Sequence, residues 1–456
     1  MTAALRPGTV TRYAVGSVGT GGFGTLPGLV LLYYLTDALA VPALVAGGVV
    51  TLAKVWDVVV NPLVGYASDR DLARTGSRRR LMVIGGFTIP LTFALTFAVP
   101  PGLDPWMSAT WVFVAFVLTA TAFSLFQVPY IALPVEIAPT YDDRTRLLAW
   151  RVAILAVAIL AFGGGGPILR GDGDELWGYL RMGVVAGLVI GIGMLVAAGA
   201  APRGPAQAVA PERQPVGVVI RGAARTARAT LARSQAFRAL FFAFVLQALG
   251  VGLLLAGAQY VATYLLESEA AVTLLFAALI APALLTMPLW SAVTRRLGKE
   301  RGFILATVLF AVATAAMIPV IWSPGPWIYG PTALAGIAYA GLQVLPLAML
   351  PDVVEDDARR HGAGAGGAFS GLWTAGETAG MALGGTLLSL LLAATGFVPS
   401  AAGVDVTQPS SALLGIGIGF SVLPALLAAA SLPILMRYRL RRGDFDRSEL
   451  SQEASP

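Results

Sequence analysis

The sequence predicts an all-α membrane protein of about twelve transmembrane helices, built as two similar halves. Three observations predict it. Apolar residues make up 57% of the 456 and charged residues only 12%, about half the charge fraction of a soluble domain. Long apolar stretches recur along the chain, each near the roughly 20 residues that a helix needs to cross the hydrocarbon. Basic residues gather between alternate stretches, as the positive-inside rule requires.

The expected spans lie near 12–36, 42–66, 80–100, 107–132, 149–170, 178–200, 238–263, 270–292, 300–322, 326–350, 366–395 and 411–436. They lack the period-two alternation of a membrane barrel. The first is long and rich in glycine, with no small-residue cleavage site leading into a soluble domain, and is read as a retained helix. Cytoplasmic termini would put every Lys and Arg except Lys54, Arg170 and Arg181 in inner segments. The expected location is therefore the cell inner (plasma) membrane, multi-pass, with both ends inside. The pI near 9.7 then reflects arginines beside anionic headgroups rather than nucleic-acid binding.

Composition also removes several chemistries. With no Cys and only His361, disulfides, thiol catalysis, Cys/His metal sites and His-based triads are excluded. No nucleophile–base constellation points to an enzyme, and no Walker motif points to an ATP-driven pump. No cofactor is expected. The run Gly19-Thr20-Gly21-Gly22-Phe23-Gly24 resembles a phosphate loop but lies inside a span with no strand before it. Close helix packing is the better account. Gly163 to Gly166, before Pro167, are read as a flexible or broken helix end.

The halves show as a weak repeat. Basic loops follow span two (Asp69-Arg70 through Arg78-Arg79-Arg80) and span eight (Arg295-Arg296 through Lys299-Glu300-Arg301). Span four closes on Gln127 to Glu136 and span ten on Gln343 to Asp352. The expected organisation is an N-terminal bundle over 1–200 and a linker over 201–237. A C-terminal bundle over 238–436 and a disordered tail over 437–456 follow. Within the linker, Arg221, Arg225 and Arg228 share one face of an interfacial helix.

Ionisable groups inside spans are costly and therefore functional candidates. They are Lys54 and Asp57 in span two, Arg151 at the start of span five, and Glu377 in span eleven, with Glu136 near the inner end of span four. Lys54, Asp57 and Asn61 are spaced to share a helix face. The pair is either a structural ion pair or a coupling site, where the carboxylate takes a proton or a hard cation.

Several segments together resemble one family. They are Tyr33-Tyr34-Leu35-Thr36-Asp37, Lys54-Val55-Trp56-Asp57 through Asn61-Pro62-Leu63-Val64-Gly65, and Pro129-Tyr130 through Glu136-Ile137-Ala138-Pro139. Arg144-Thr145-Arg146, Leu350-Pro351-Asp352-Val353-Val354 and Gly371-Leu372-Trp373-Thr374 add to them. The chain resembles the glycoside–pentoside–hexuronide:cation symporters over nearly its whole length. That resemblance implies the major facilitator fold and cation-coupled uptake of a small polar solute, most often a sugar or glycoside, by alternating access.

It also implies sites. The family's sodium site uses two helix-two carboxylates with an Asn between and a Thr on helix four. Asp57 matches the first carboxylate, Asn61 stands for the second, Val60 for the Asn and Ser124 for the Thr. With Lys54 they form the expected coupling site, for proton or sodium. The family's sugar-gripping residues map to Gly21 and Gln127 in place of two Asp, to Arg151, and to Gln343 in place of a Trp. Trp373, Thr374 and Glu377 complete the expected substrate set. At the cytoplasmic side, Arg78, Arg79 and Arg80 are expected to pair with Asp352, Glu355, Asp356 and Asp357 when that gate closes, while Asp69 braces its own loop. A lysophospholipid carrier, an organic-anion carrier or a drug exporter of the same fold remains the alternative, and a transporter-derived sensor is the alternative of another class. The expected partners are a small solute and the bilayer, with a monomer sufficient.

Overall fold

The computed structural model describes residues 7–138, 141–171, 176–202, 216–268, 270–361, 366–404, 406–438 and 440. Every element longer than a bridge among them is helical. In chain order they are α1 (Pro7–Tyr33), α2 (Ala43–Thr75), α3 (Arg79–Thr96), α4 (Pro105–Ile137), α5 (Tyr141–Arg170), α6 (Leu176–Ala198) and α7 (Val216–Arg233). Then come α8 (Gln235–Tyr260), α9 (Ala270–Leu297), α10 (Lys299–Ala315), α11 (Tyr329–His361), α12 (Gly366–Ala394), α13 (Ser410–Gly417) and α14 (Leu423–Leu435). Wider π turns at Tyr34–Ala38 and Val261–Leu265 extend α1 and α8, and a third at Ile418–Val422 joins α13 to α14 as one span.

Local sequence explains the ends. Asp104 caps α4, accepting from the N–H groups of Trp106 and Met107, with Pro105 in the first helical position. Gly76 ends α2 in the left-handed region at φ 69°, its N–H returning to Leu72 O.

Eleven of the described helices are long and apolar enough to cross a membrane. The remaining expected span, α3, has 18 residues and opens on Arg79 and Arg80, which lowers its hydropathy. Helix α7 lies within the segment read as the linker, with Arg221, Arg225 and Arg228 all exposed. The Pro-rich start of the linker and most of the tail lie outside the described residues. Residues 163–166 do not break a helix: α5 runs through them to Arg170. A side chain on Gly163 would meet the ring of Phe276, so the run provides close approach rather than a hinge.

The chain packs into two compact units. The first comprises Met1–Gly222, Ala258–Ala277 and Gly385–Leu413. Inside it α1 lies tightly against α5 and α6. A Cβ at Gly19 would sit 2.7 Å from Met194 Cγ, and one at Gly22 would sit 2.7 Å from Ile190 and Phe162. At the end remote from the arginine-rich connections, this unit holds a hydroxyl cluster around buried Asp37. Thr36 and Tyr264 donate to its carboxylate, Tyr260 and Thr36 share a 2.7 Å bond, and Ser400 donates to Asp37 O at 3.2 Å.

The second unit comprises Ala223–Gly257, Ala278–Gly384 and Leu414–Pro456. Its helices also meet through small residues, as where Gly384 faces the backbone of Gly252 and Leu253. Trp290 Nε1 donates to Ile337 O at 2.7 Å, which ties α9 to α11.

Candidate functional site

In the first unit two charged residues of α2 meet. Lys54 Nζ lies 3.5 Å from Asp57 Oδ2, one turn away on the same helix. The Asp57 side chain is 9% exposed, and its Oδ1 is buried with no hydrogen-bond partner. The Lys54 ammonium is also 5.3 Å from the centre of the Phe23 ring and 6.0 Å from that of Phe116. Cation–π attraction and the carboxylate therefore both hold the ammonium. Of the other two expected members, Ser124 is buried on α4 and Asn61 is exposed one turn beyond Asp57. Neither bonds to the pair. What the fold brings together is a two-charge core with one unfilled carboxylate oxygen.

The expected substrate residues of this unit fall on α4 and α5. Gln127 Oε1 accepts from Thr20 at 2.8 Å. The Arg151 guanidinium sits 5.5 Å from the Tyr130 ring centre, and its Nε is buried without a partner. Tyr130 is itself fixed, stacking on Tyr13 at 4.6 Å and donating to Tyr13 O at 2.9 Å. Gly21, which the resemblance in sequence sets against an Asp, has no room for a side chain. A Cβ there would lie 2.8 Å from Ala158 Cβ and 3.3 Å from Leu155 O. At Gly21 the chain makes a close helix contact instead.

The second unit carries the rest. Gln343 Nε2 donates to Glu377 Oε1 at 3.3 Å and to Tyr339 OH at 3.2 Å. Trp373 is 2% exposed and stacks on Phe244 with ring centres 4.2 Å apart; its Nε1 has no partner. Phe244, Gln343 and Glu377 line one small cavity with Gln247, Tyr339 and Met381. Thr374 lies apart, exposed, with its hydroxyl on Ser370 O.

Of the charged residues expected at the gate, Arg78, Asp69, Asp352, Glu355, Asp356 and Asp357 each pair inside their own unit. Arg78 Nε pairs with Glu136 at 2.5 Å, and its Nη1 pairs with Asp69 at 2.7 Å. Burial lowers the pKa of Arg78, but the bonds and charges of Glu136 and Asp69 more than offset it, so the guanidinium is held charged. Arg79 keeps a buried Nε without a partner, and Arg80 is exposed. Asp352 pairs with Lys299 at 2.6 Å and Asp357 with Arg233 at 2.8 Å. Glu355 and Asp356 pair with Arg359 and Arg360 one turn along α11.

A family model described as MFS/sugar transport protein matches residues 12–442. The chain belongs to that family. Among curated proteins it is similar to an uncharacterized symporter of Synechocystis, 32% identical over 32% of this chain and 28% of that protein. It is similar to the glucuronide carrier protein homolog of Escherichia coli, at 26% over 37% of each. It is also similar to sodium-dependent lysophosphatidylcholine symporter 1 of Mus musculus, at 30% over 31% of this chain and 27% of that protein. These matches span well under half the length of each relative. The crystal structure of the nucleoside transporter NupG superposes with a TM-score of 0.64, covering 95% of this chain and 99% of that one at 13% identity. The family member thus has the fold of the major facilitator transporters.

Sequence reasoning missed four residues. Asp37 falls just beyond the predicted end of span one, so its burial as a carboxylate carries no signal in the sequence. Tyr264 lies just past the end of span seven, and its bond to Asp37 is a contact between segments more than 200 residues apart. Gln247 and Tyr339 carry no charge, and only the packing of α8 against α11 and α12 reveals them.

Proposed function

We propose that this protein is a cation-coupled symporter of a small polar solute, a sugar or glycoside, and that it catalyses no reaction. Asp57 is the coupling group. The single observation that carries this reading is the Asp57–Lys54 pair. A buried carboxylate with one free oxygen, held against an ammonium that two aromatic rings also hold, is a site that a proton or a sodium ion can neutralise. Neutralisation releases Lys54 from its partner, and a local charge change of this kind is what biases a two-state membrane protein. Membrane carboxylates are too costly to keep without such a partner or role.

The substrate residues are Gln127 and Arg151 in the first unit, and Gln343, Glu377 and Trp373 in the second. Arg151 supplies the family's cationic donor. Gln127 and Gln343 supply amides that both donate and accept. The symporter relatives and the glucuronide carrier protein homolog support the solute class. The protein works in the inner membrane with its arginine-rich connections and both termini in the cytoplasm.

Uptake into proteoliposomes tests the proposal. The probes are a methyl glycoside, a hexuronate and lysophosphatidylcholine, each under an imposed proton or sodium gradient. Accumulation of the glycoside driven by one gradient is the expected result. Accumulation of lysophosphatidylcholine alone would favour the lipid-carrier reading, and equilibration with no gradient dependence would refute coupling.

A further inference from the structure

One residue that lines the small cavity in the second unit, Gln247, carries a buried acceptor that nothing among the described residues satisfies. Gln247, on α8, is 1% exposed. Its Nε2 lies 3.0 Å from Thr307 Oγ1 and 3.0 Å from Ser431 Oγ. Its Oε1 is buried with no hydrogen-bond partner. An amide can be flipped, so the neighbours must decide which end faces them. Thr307 donates its hydroxyl proton to Phe303 O at 2.7 Å, and Ser431 donates its own to Ala428 O at 2.7 Å. With both protons spent on backbone carbonyls, the two oxygens can only accept. The end of Gln247 that meets them must therefore be the NH2 group. The reverse orientation would leave two N–H donors buried without partners instead of one oxygen. The carbonyl is thus the free end of an amide whose other end is clamped.

Gln247 shares the walls of the cavity with Glu377, Gln343 and Tyr339. Glu377 accepts from Gln343 there, and an ionised carboxylate can only accept. Among the described residues no Lys or Arg lines the cavity. Its volume is about 10 Å³, near the least that holds one water, so it is sized for one donor group rather than for a sugar ring.

We infer that Gln247 is a specificity-determining residue whose Oε1 accepts a hydrogen bond from a substrate hydroxyl, so that this unit selects hydroxyl-bearing neutral solutes over anionic ones. The inference rests on the proposed symport of a small polar solute and adds the solute's chemistry. An unsatisfied buried acceptor favours a ligand that brings a donor, and it rejects an analogue that lacks one, because the acceptor is then left unpaired. A phosphate or carboxylate brings only acceptors to that wall.

The test uses the purified full-length protein and measures binding of methyl glycosides by intrinsic Trp fluorescence. The set includes the parent compound and analogues in which each hydroxyl in turn is replaced by hydrogen or by fluorine. Fluorine keeps the size and can accept weakly but cannot donate. At one ring position, both replacements should weaken binding at least tenfold in the wild-type protein. In Gln247→Met, which keeps the volume and removes the acceptor, the parent glycoside should bind about tenfold more weakly and that positional penalty should disappear. Circular dichroism and the unfolding temperature check that the variant is folded. If it is not, the wild-type analogue series still decides. No position at which both replacements cost affinity would overturn the inference, and so would a Gln247→Met protein that keeps the wild-type penalty. Wild-type protein that binds a hexuronate or lysophosphatidylcholine and no glycoside also overturns it. Gradient-driven uptake of that other probe would leave the coupling proposal standing, so the two fail separately.

Discussion

Gly21 offers a perturbation whose size can be worked from the structure. It lies in α1 against α5, and a methyl group there would come within 2.8 Å of Ala158 Cβ, 3.3 Å of Ile159 N and 3.3 Å of Leu155 O. Two of those atoms belong to helix backbone and cannot rotate away, so Gly21→Ala must push the helices apart. Overpacking of this kind costs about 1–3 kcal/mol. Gly24, three residues on in the same helix, is exposed and has nothing within 4 Å of its would-be Cβ. There the same substitution only relieves the entropy cost of glycine and should stabilise by about 0.5–1 kcal/mol. Both substitutions relieve that entropy cost, so the two alanine variants should differ by the overpacking term alone, about 1–3 kcal/mol. Their unfolding, followed by Trp fluorescence in detergent, measures the difference directly. Gly21→Asp should be worse than Gly21→Ala, because it adds bulk and a charge at the same contact, and it should not restore the family's sugar-gripping carboxylate. Equal stability of Gly21→Ala and Gly24→Ala would refute the close packing on which the account of the missing Asp depends.

Three further outcomes follow from the same geometry. Arg78→Ala strands Glu136, whose side chain is 19% exposed; it should destabilise the protein by about 2–3 kcal/mol, somewhat less than a fully buried pair, and Glu136→Gln in the same background should recover part of that loss in a denaturation series. Tyr264→Phe removes a donor to the Asp37 carboxylate and should cost about 1–3 kcal/mol, read by the same unfolding assay; no change would mean that the cluster is already satisfied without it. Asn61→Asp adds the family's second carboxylate at an exposed position of α2. It should lower the sodium concentration for half-maximal uptake about tenfold, equivalent to ~1.4 kcal/mol, and an unchanged sodium dependence would exclude this face of α2 from the cation site.

Much of this was legible in the chain because membrane folding writes strong signals. Spans follow from hydropathy and length, and α7 was readable from the spacing of Arg221, Arg225 and Arg228. The Lys54–Asp57 contact was readable because one helix turn separates the two residues. Contacts between distant segments were not. The two units interleave segments of the sequence, so Tyr260 and Tyr264 join Asp37 without any local pattern to announce it. Glycine misled in one place, since Gly163 to Gly166 signal close approach as readily as a break. Within the expected substrate set, Thr374 and Glu377 are three residues apart yet differ: Thr374 is exposed, and Glu377 is bonded to Gln343. Sequence gives the spacing, but only packing against α8 and α11 decides which face is inside.

The central claim is that Asp57 couples solute movement to a cation. It is tested most directly by measuring, in the same proteoliposomes, uphill accumulation and exchange down the solute gradient for wild-type and Asp57→Asn protein. The Asn keeps the shape of the side chain and removes the charge that Lys54 faces at 3.5 Å. The account predicts that accumulation under the driving cation gradient is abolished while exchange survives in part. Asp57→Asn protein that accumulates solute as well as the wild type would contradict it and would reduce the Lys54–Asp57 pair to a structural contact.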